Sequence, residues 1–450
     1  MRKGTRTVSL LMALVLVAGA MTGCTVNTGG GQSSTASAKS NAADGKNVTI
    51  TFLNSKGEIT DSLKKAVDNY NSSNKDGIKV ELSTVGAGSS AYEALMAKYS
   101  SGNAPTLMMT GAGDILSFKD KVIDLSGEKW VSDVSTGMLD AVKTDNKVLA
   151  FPFAVEGCGL IYNKTTIEKA TKEKFDASTI KTRTDLENLY KKIQAGGVAP
   201  IEISKDDWSL GDHFMMTSYG AQSQDFAKTQ SFMTDLKGGK VDLASNKVFN
   251  GILDTFDLNK KYNIYKSSPM SSDYNSTDPQ NIATGKAAFW FNGEWVWPNI
   301  KQFLTGNVSD GEYGFLPVPV SNNASDYGNS QIPVGVTKYI AIDNKCNNAN
   351  QQAAAKKFLN WLVYDQKGQD YLVNQMGIIP AFKNITAAPA DPLSKSIKSY
   401  LGNQKTIYFN AALPADDGKN VGSIMQQYLV GKINKQDVAQ KVAAYWKNAK

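Results

Sequence analysis

From Val48 onward, short β-rich runs alternate with amphipathic helical stretches, and this alternation limits the possible folds more than any other feature of the chain. Val48 to Leu53 reads as a strand. Thr60 to Asn74 fits a helix, with Leu63, Val67 and Tyr70 on one face and Thr60 or Asp61 as its cap. Ile78 to Leu82 is a second strand, Tyr92 to Ser101 a second helix and Thr106 to Met109 a third strand. Such an order predicts parallel βαβ units, hence an α/β sheet with helices on both faces. Ligands bind beyond the carboxyl ends of strands in such sheets. That rule selects Asn54 to Glu58 and Thr110 to Asp114, which follow the first and third strands. Further helices are expected at Thr182 to Gln194, Ala353 to Tyr364 and Lys435 to Asn448, the last burying a stripe of Val438, Val442 and Tyr445.

The segment before Val48 reads as a leader and a tether. Arg2, Lys3 and Arg6 precede an apolar run from Val8 to Met21 and small residues up to Cys24, the three parts of an export signal over residues 1–23. The apolar run is too short for a comfortable membrane span, which needs roughly 20 apolar residues. Ala20-Met21-Thr22-Gly23-Cys24 is similar to a bacterial lipobox, which implies diacylation of Cys24. Residues 24–47, nearly all small or polar, cannot bury enough surface to fold and would hold a domain off a membrane. A lysine-rich, lipidated chain suits the outer face of a Gram-positive cell membrane.

Much chemistry is excluded. Without the leader the net charge of +7 falls by three, and the basic residues are scattered among acidic ones, so nucleic acid is not an expected partner. His213 is the only histidine, which argues against a His-based metal cluster and against Ser-His-Asp or Cys-His catalysis. Flanked by Asp212 and Phe214 on a helical stretch, it reads as structural. No phosphate-binding glycine loop occurs, and neither metal nor cofactor is expected. The doublets Asp206-Asp207 and Asp416-Asp417 are poor glycosidase pairs, because neighbouring side chains point apart and Asp416-Asp417-Gly418 reads as a turn. Cys158 and Cys346 read as two buried free thiols, although a pair between them remains open at this point.

What the sequence offers instead is a tryptophan cluster. Trp290, Trp295 and Trp297, three of seven tryptophans, lie within eight residues. Trp295 follows a Gly293-Glu294 turn at a strand end, a rigid position from which an indole face can cover the apolar C–H face of a sugar. Trp290 and Trp297 fit core or cleft wall.

Around these residues the chain resembles the extracellular carbohydrate-binding proteins of ABC importers, the broad family that includes maltose-binding protein. Asn292 to Ile300 is similar to that family's Asn-Gly-x-Trp-x-Trp-x-Asn-Ile segment. Phe151 to Glu156 with Leu160 to Lys164 resembles its first interlobe crossing, Ile332 to Val336 its second, and Gly377 to Ala381 the segment before its third. The resemblance implies a two-lobed α/β fold of the periplasmic-binding-protein type, with hinge crossings and a ligand cleft between lobes. One lobe would hold residues 48–154 and 339–382, the other 155–338 and 383–450.

The implied function is capture of a mono- or oligosaccharide by hinge closure and its delivery to ABC permease subunits, by a monomer with no catalysis of its own. Carried over by position, Glu156 accepts hydrogen bonds from sugar hydroxyls and Trp295 stacks on the sugar, while Asp114 and Asn54 take looser equivalents. Glu58, from the first ligand-side loop, and Trp208, on the polar segment after Pro200 to Ile203, are added from the residues themselves. The loop Thr110-Gly111-Ala112-Gly113 lacks an aromatic, which speaks against maltose. Two other readings stay open: a receptor for peptides, polyamines or metal chelates on the same scaffold, an acidic, arginine-free pocket suiting polyamines, and an exported glycoside hydrolase.

Overall fold

The computed structural model describes residues 47–86, 90–309, 311–387, 389–409, 413–414 and 416–449. The expected leader, Cys24 and the tether up to residue 46 lie outside them.

Strands β1 (Val48–Asn54), β2 (Ile78–Thr84) and β3 (Leu107–Thr110) are joined by helices α1 (Thr60–Ser73) and α2 (Ala91–Ser100), as the alternation predicts. β1 pairs parallel with both β2 and β3. α1 turns Leu63, Ala66, Val67 and Tyr70 inward, and Tyr70 meets Phe358 and Trp361 of the helix Ala349–Tyr364. Then come the hairpin β4 (Lys143–Thr144) and β5 (Lys147–Val148), and the long strand β6 (Phe151–Asn163). The remaining strands are β7 (Ala199–Glu202), β8 (Ala287–Gly293), β9 (Tyr313–Leu316), β10 (Ile332–Ile342) and β11 (Thr406–Tyr408).

Nine of these form one sheet in the order β2-β1-β3-β10-β6-β8-β7, with β11 added to β10 and β9 to β6. Only its two ends, together with the β10–β11 pair, are parallel; β10 runs antiparallel to β3 and β6, and β6 antiparallel to β8 and β9. The sheet is therefore mixed. A chain that passes from one half to the other and later returns lays its crossing strands in opposite directions, and parallel βαβ units survive only where a helix returns the chain.

The crossings lie side by side. In β6, Phe151 to Gly157 pair with β10, while Cys158 to Tyr162 pair with β8, so one strand serves both halves. The β6–β10 register shifts between Val336 and Tyr339. Ile379, from the third segment, joins as a bridge whose carbonyl accepts the Val155 N–H at 3.2 Å.

Two apolar cores flank this junction. One gathers Phe52, Leu107, Trp130, Phe151 and Phe358; the other gathers Tyr190, Phe214, Phe249, Phe289 and Trp446. Successive residues of a strand face opposite ways, and Leu160 and Ile161 of β6 enter different cores. The last helix, Lys435–Asn448, buries Val438, Ala439, Val442 and Trp446. Tyr445, expected in that stripe, instead reaches outward to bond Asp416 at 2.6 Å. Among the described residues both cysteines, Cys158 and Cys346, are free, and Cys346 is exposed where a buried thiol was expected. No helix of the described residues is long and apolar enough to cross a membrane.

Candidate functional site

The carboxyl end of β1 carries the first group. Asn54 is fully buried, and its amide is used locally: Oδ1 accepts the Lys56 N–H at 2.9 Å, and Nδ2 donates to the Lys56 carbonyl at 3.0 Å. The turn so formed directs Lys56 inward and leaves Glu58 exposed. The Lys56 ammonium donates to Glu58 Oε1 at 2.6 Å and to Glu156 Oε1. Burial opposes the charge on Lys56, but the two carboxylates outweigh it and hold the ammonium above the ordinary lysine range.

Glu156 sits on β6, opposite Gly335 of β10. Thr337 donates its hydroxyl to Glu156 Oε2 at 2.6 Å. Burial would raise this carboxyl, yet Lys56 and the hydroxyl keep it below its usual range and ionised. Glu294 shows the opposite behaviour nearby. It accepts the Gly157 N–H at 2.9 Å, and burial together with the charge of Glu156 pushes it well above the carboxylate range.

Asp114 lies not in a loop but within a short helix, α3 (Ala112–Ser117), that begins two residues after β3. It accepts the hydroxyl of Thr110. Burial raises its carboxyl, opposed by that hydrogen bond and by Lys338. Lys338 also influences Glu156, Asp212 and His213, so it lies at a point where groups from both halves of the chain converge.

The aromatic part comes from beyond β8 and from a π-helix. After β8 the chain turns at Gly293 into a single 3-10 turn, Glu294–Val296, as the sequence predicts. The Trp295 indole folds back over Gly293, where a Cβ would collide with it, so the glycine fixes the ring. Trp295 is partly buried, and its ring lies 4.8 Å from that of His213. Trp290 is fully buried, its Nε1 donating to Ser204 at 2.8 Å, and Trp297 packs on Tyr313.

Trp208 immediately precedes the π-helix Ser209–Met215. Its indole contacts His213 at 5.2 Å and Tyr274 at 5.1 Å, and Tyr274 in turn feels the charges of Glu58 and Lys56. Tyr274, Trp208, His213 and Trp295 thus form one row of partly exposed rings that ends beside the Lys56–Glu156 group.

Of the residues singled out by sequence, Glu156, Glu58, Trp208 and Trp295 belong to this assembly directly, Asp114 joins through Lys338, and Asn54 shapes the turn beneath it. Lys56, Tyr274 and Lys338 escaped notice, and His213 beside Asp212 was read as structural. Lys56 lay inside the loop already selected after β1, but nothing local shows that its side chain turns inward. The pocket is also less acidic than expected, since Lys56 and Lys338 stand among the carboxylates, which counts against polyamines. The expected turn covers only Asp416, which caps the next helix, while Asp417 opens the helix Asp417–Leu429 and is fully buried.

The model of the bacterial extracellular solute-binding protein family matches residues 65–400. Among solved structures, the chain is similar to a family 1 extracellular solute-binding protein from Bifidobacterium longum subsp. infantis, with 20% identity, TM-score 0.67, and 89% of this chain and 99% of that one covered. It is similar to RafE, a Streptococcus pneumoniae protein, in complex with raffinose, at 18% identity and TM-score 0.71 over 89% and 99% of the two chains. A Bacillus licheniformis sugar transporter in complex with stachyose gives 18% identity and TM-score 0.67 over 89% and 99%. The two-lobed α/β fold of these proteins is the fold of this chain, and the family match over residues 65–400 leads to one conclusion: the chain belongs to the bacterial extracellular solute-binding proteins.

Proposed function

We propose that this protein captures an oligosaccharide outside the cell, closes on it by hinge motion and hands it to the permease of an ABC importer, without covalent chemistry of its own. The observation that carries this reading is the row of partly exposed rings from Tyr274 to Trp295 beside the carboxylates of Glu58 and Glu156. Rings cover the apolar C–H faces of sugars, and carboxylates accept paired hydrogen bonds from neighbouring hydroxyls. Solved structures of the same fold with raffinose and stachyose support the ligand class.

Trp295 and Trp208 serve as stacking surfaces, with Glu156, Glu58 and Asp114 as hydroxyl acceptors and Asn54 as support for the loop. Residues 48–154 with 339–382 form one lobe and residues 155–338 with 383–450 the other, moving about β6, β10 and the Ile379 segment. Residues 1–23 direct export, and a lipid on Cys24 holds the monomer at the outer face of the membrane by way of residues 24–47. Incorporation of labelled palmitate, abolished by Cys24→Ala, tests the anchor.

The ligand assignment is tested by tryptophan fluorescence and thermal shift of the purified protein against raffinose, stachyose, xylo-oligosaccharides, chitin oligosaccharides and acarbose. A saturable response with a Kd on the order of micromolar, with the glycan recovered intact, is the expected outcome. Trp295→Ala then weakens binding by about thirtyfold, roughly 2 kcal/mol, with a much smaller fractional loss of stability. Unchanged affinity in the folded variant would overturn the role of Trp295, and a response only to peptides or polyamines would overturn the ligand class.

A further inference from the structure

His213 is poorly explained as packing. Its imidazole is wedged between the indoles of Trp208 and Trp295, at 5.2 and 4.8 Å, and its inner side meets Phe409 at 5.2 Å. A phenylalanine would fill such an aromatic box without the cost of burying a polar ring. Nδ1 is sealed from water and has no hydrogen-bond partner among the described residues. The residue as a whole is nevertheless only partly buried.

The backbone under His213 is unusually well fixed. The π-helix Ser209–Met215 lies directly on the helix Asp417–Leu429, where Gly211 faces Gly418 and Gly422 so closely that a Cβ on any of the three would meet the opposing chain. π-Helical turns are rare and occur often at functional sites. This one sets the imidazole between two platforms.

Sugar chemistry gives such a group a task. Hydroxyls can donate to carboxylates, but the oxygen that links two sugar rings carries no hydrogen and can only accept. The ionised carboxylates of the site cannot bind it. Burial, with the charge of Lys338 adding to it, pushes the imidazole down to about pKa 3, so His213 stays neutral with one N–H, and with Nδ1 sealed it is Nε2 that can donate to a ligand.

On this basis, and resting on the sugar-capture reading above, we infer that His213 is a ligand contact at the junction between two sugar rings, with Trp295 and Trp208 each carrying one ring. The cargo therefore spans at least two rings, and a single monosaccharide cannot use the whole row.

The test uses raffinose, xylotriose and chitotriose, each against its own monosaccharide: galactose, xylose and N-acetylglucosamine. At least one trisaccharide is expected to bind tenfold or more tighter than its monosaccharide, and Trp208→Ala should abolish that preference. As the only histidine, His213 gives a single set of imidazole nitrogen resonances in a labelled sample, and these should shift when the trisaccharide saturates the site. His213→Phe, which keeps the aromatic packing, should raise the trisaccharide Kd three- to tenfold, with His213→Gln recovering part of the loss. A monosaccharide binding as tightly as its trisaccharide, or imidazole resonances unmoved at saturation, overturns this inference and leaves sugar capture standing. No response to any of the six sugars, nor to stachyose or acarbose, overturns both.

Discussion

Glu156 and Glu202 are both buried glutamates, and the molecule holds them in opposite states. Glu156 faces the Lys56 ammonium and the Thr337 hydroxyl, and is kept ionised. Glu202, at the end of β7 and fully buried, faces another carboxyl, Asp278, and is pushed up to about 10 by burial and by that neighbour. Asp278 is tied down by Ser204 at 3.0 Å and by the Asp273 N–H at 2.6 Å, while among the described residues Glu202 Oε1 accepts a 3.3 Å bond from Asn281 and Oε2 has no hydrogen-bond partner. Burial alone therefore does not set the charge; the partner does. Glu156 is held as a charged group by Lys56 and Thr337, whereas Glu202, in register with Trp290 across the β7–β8 pair, is held towards its neutral form.

The comparison is broken most severely by removing one member of the Lys56–Glu156 pair. Glu156→Ala leaves a buried ammonium whose remaining counter-ion is Glu58, and should destabilise the fold by about 3 kcal/mol in denaturant melts. Glu58→Ala, by contrast, removes a carboxylate whose side chain is 52% exposed and should cost less than about 1 kcal/mol. Equal effects of the two variants would contradict the different roles given to these acids.

The two glutamates also predict opposite responses to pH. Glu156 has a folded pKa below its ordinary 4.5, so its contribution is present above that value and is lost as pH falls through the folded pKa. Glu202 has a folded pKa raised from 4.5 to about 10, so the folded state holds its proton more tightly than the unfolded chain. Its contribution is complete below pH 4.5 and declines between there and pH 10. The limiting slope is about 1.4 kcal/mol per pH unit. Glu202→Gln should flatten the alkaline side of the stability profile and leave the acid side unchanged. A wild-type profile that is already flat from pH 7 to 10 would refute the raised Glu202 carboxyl.

The smallest expected effect sharpens the division between charged groups and rings. Gly293→Ala places a methyl group where the Trp295 indole rests and must displace the ring. Sugar affinity should fall about fivefold, roughly 1 kcal/mol, while the acid and alkaline limbs of the stability profile keep their wild-type positions. A shift in either limb would mean that the indole and the charged groups are coupled, against the separation drawn here.

Some features were legible because they are local. The boundaries of α1 and of the last helix and the turn before Trp295 follow from periodicity, capping and strand-end residues acting within a few positions. The first two crossing segments and the stretch before the third were recognisable as motifs. Asp114 was misplaced because a six-residue helix carries too few apolar positions to show a period. The mixed direction of the sheet was missed because β6 and β10 pair across almost two hundred residues, and only the meeting of distant segments sets their relative direction.

The candidate site divides along the same line. The sequence by itself determined which strands end at the site, that an indole would stand beyond β8 and that a glutamate would lie on the first crossing. Only the tertiary structure decided that Lys56 turns inward to Glu156, that Lys338 serves both halves and that His213 stands between two tryptophans. Strand ends and turns are governed by short-range sterics and periodicity written along the chain. Ion pairs, buried protons and ring contacts depend on distances of a few ångströms between residues far apart in sequence, and those distances exist only once the chain has folded.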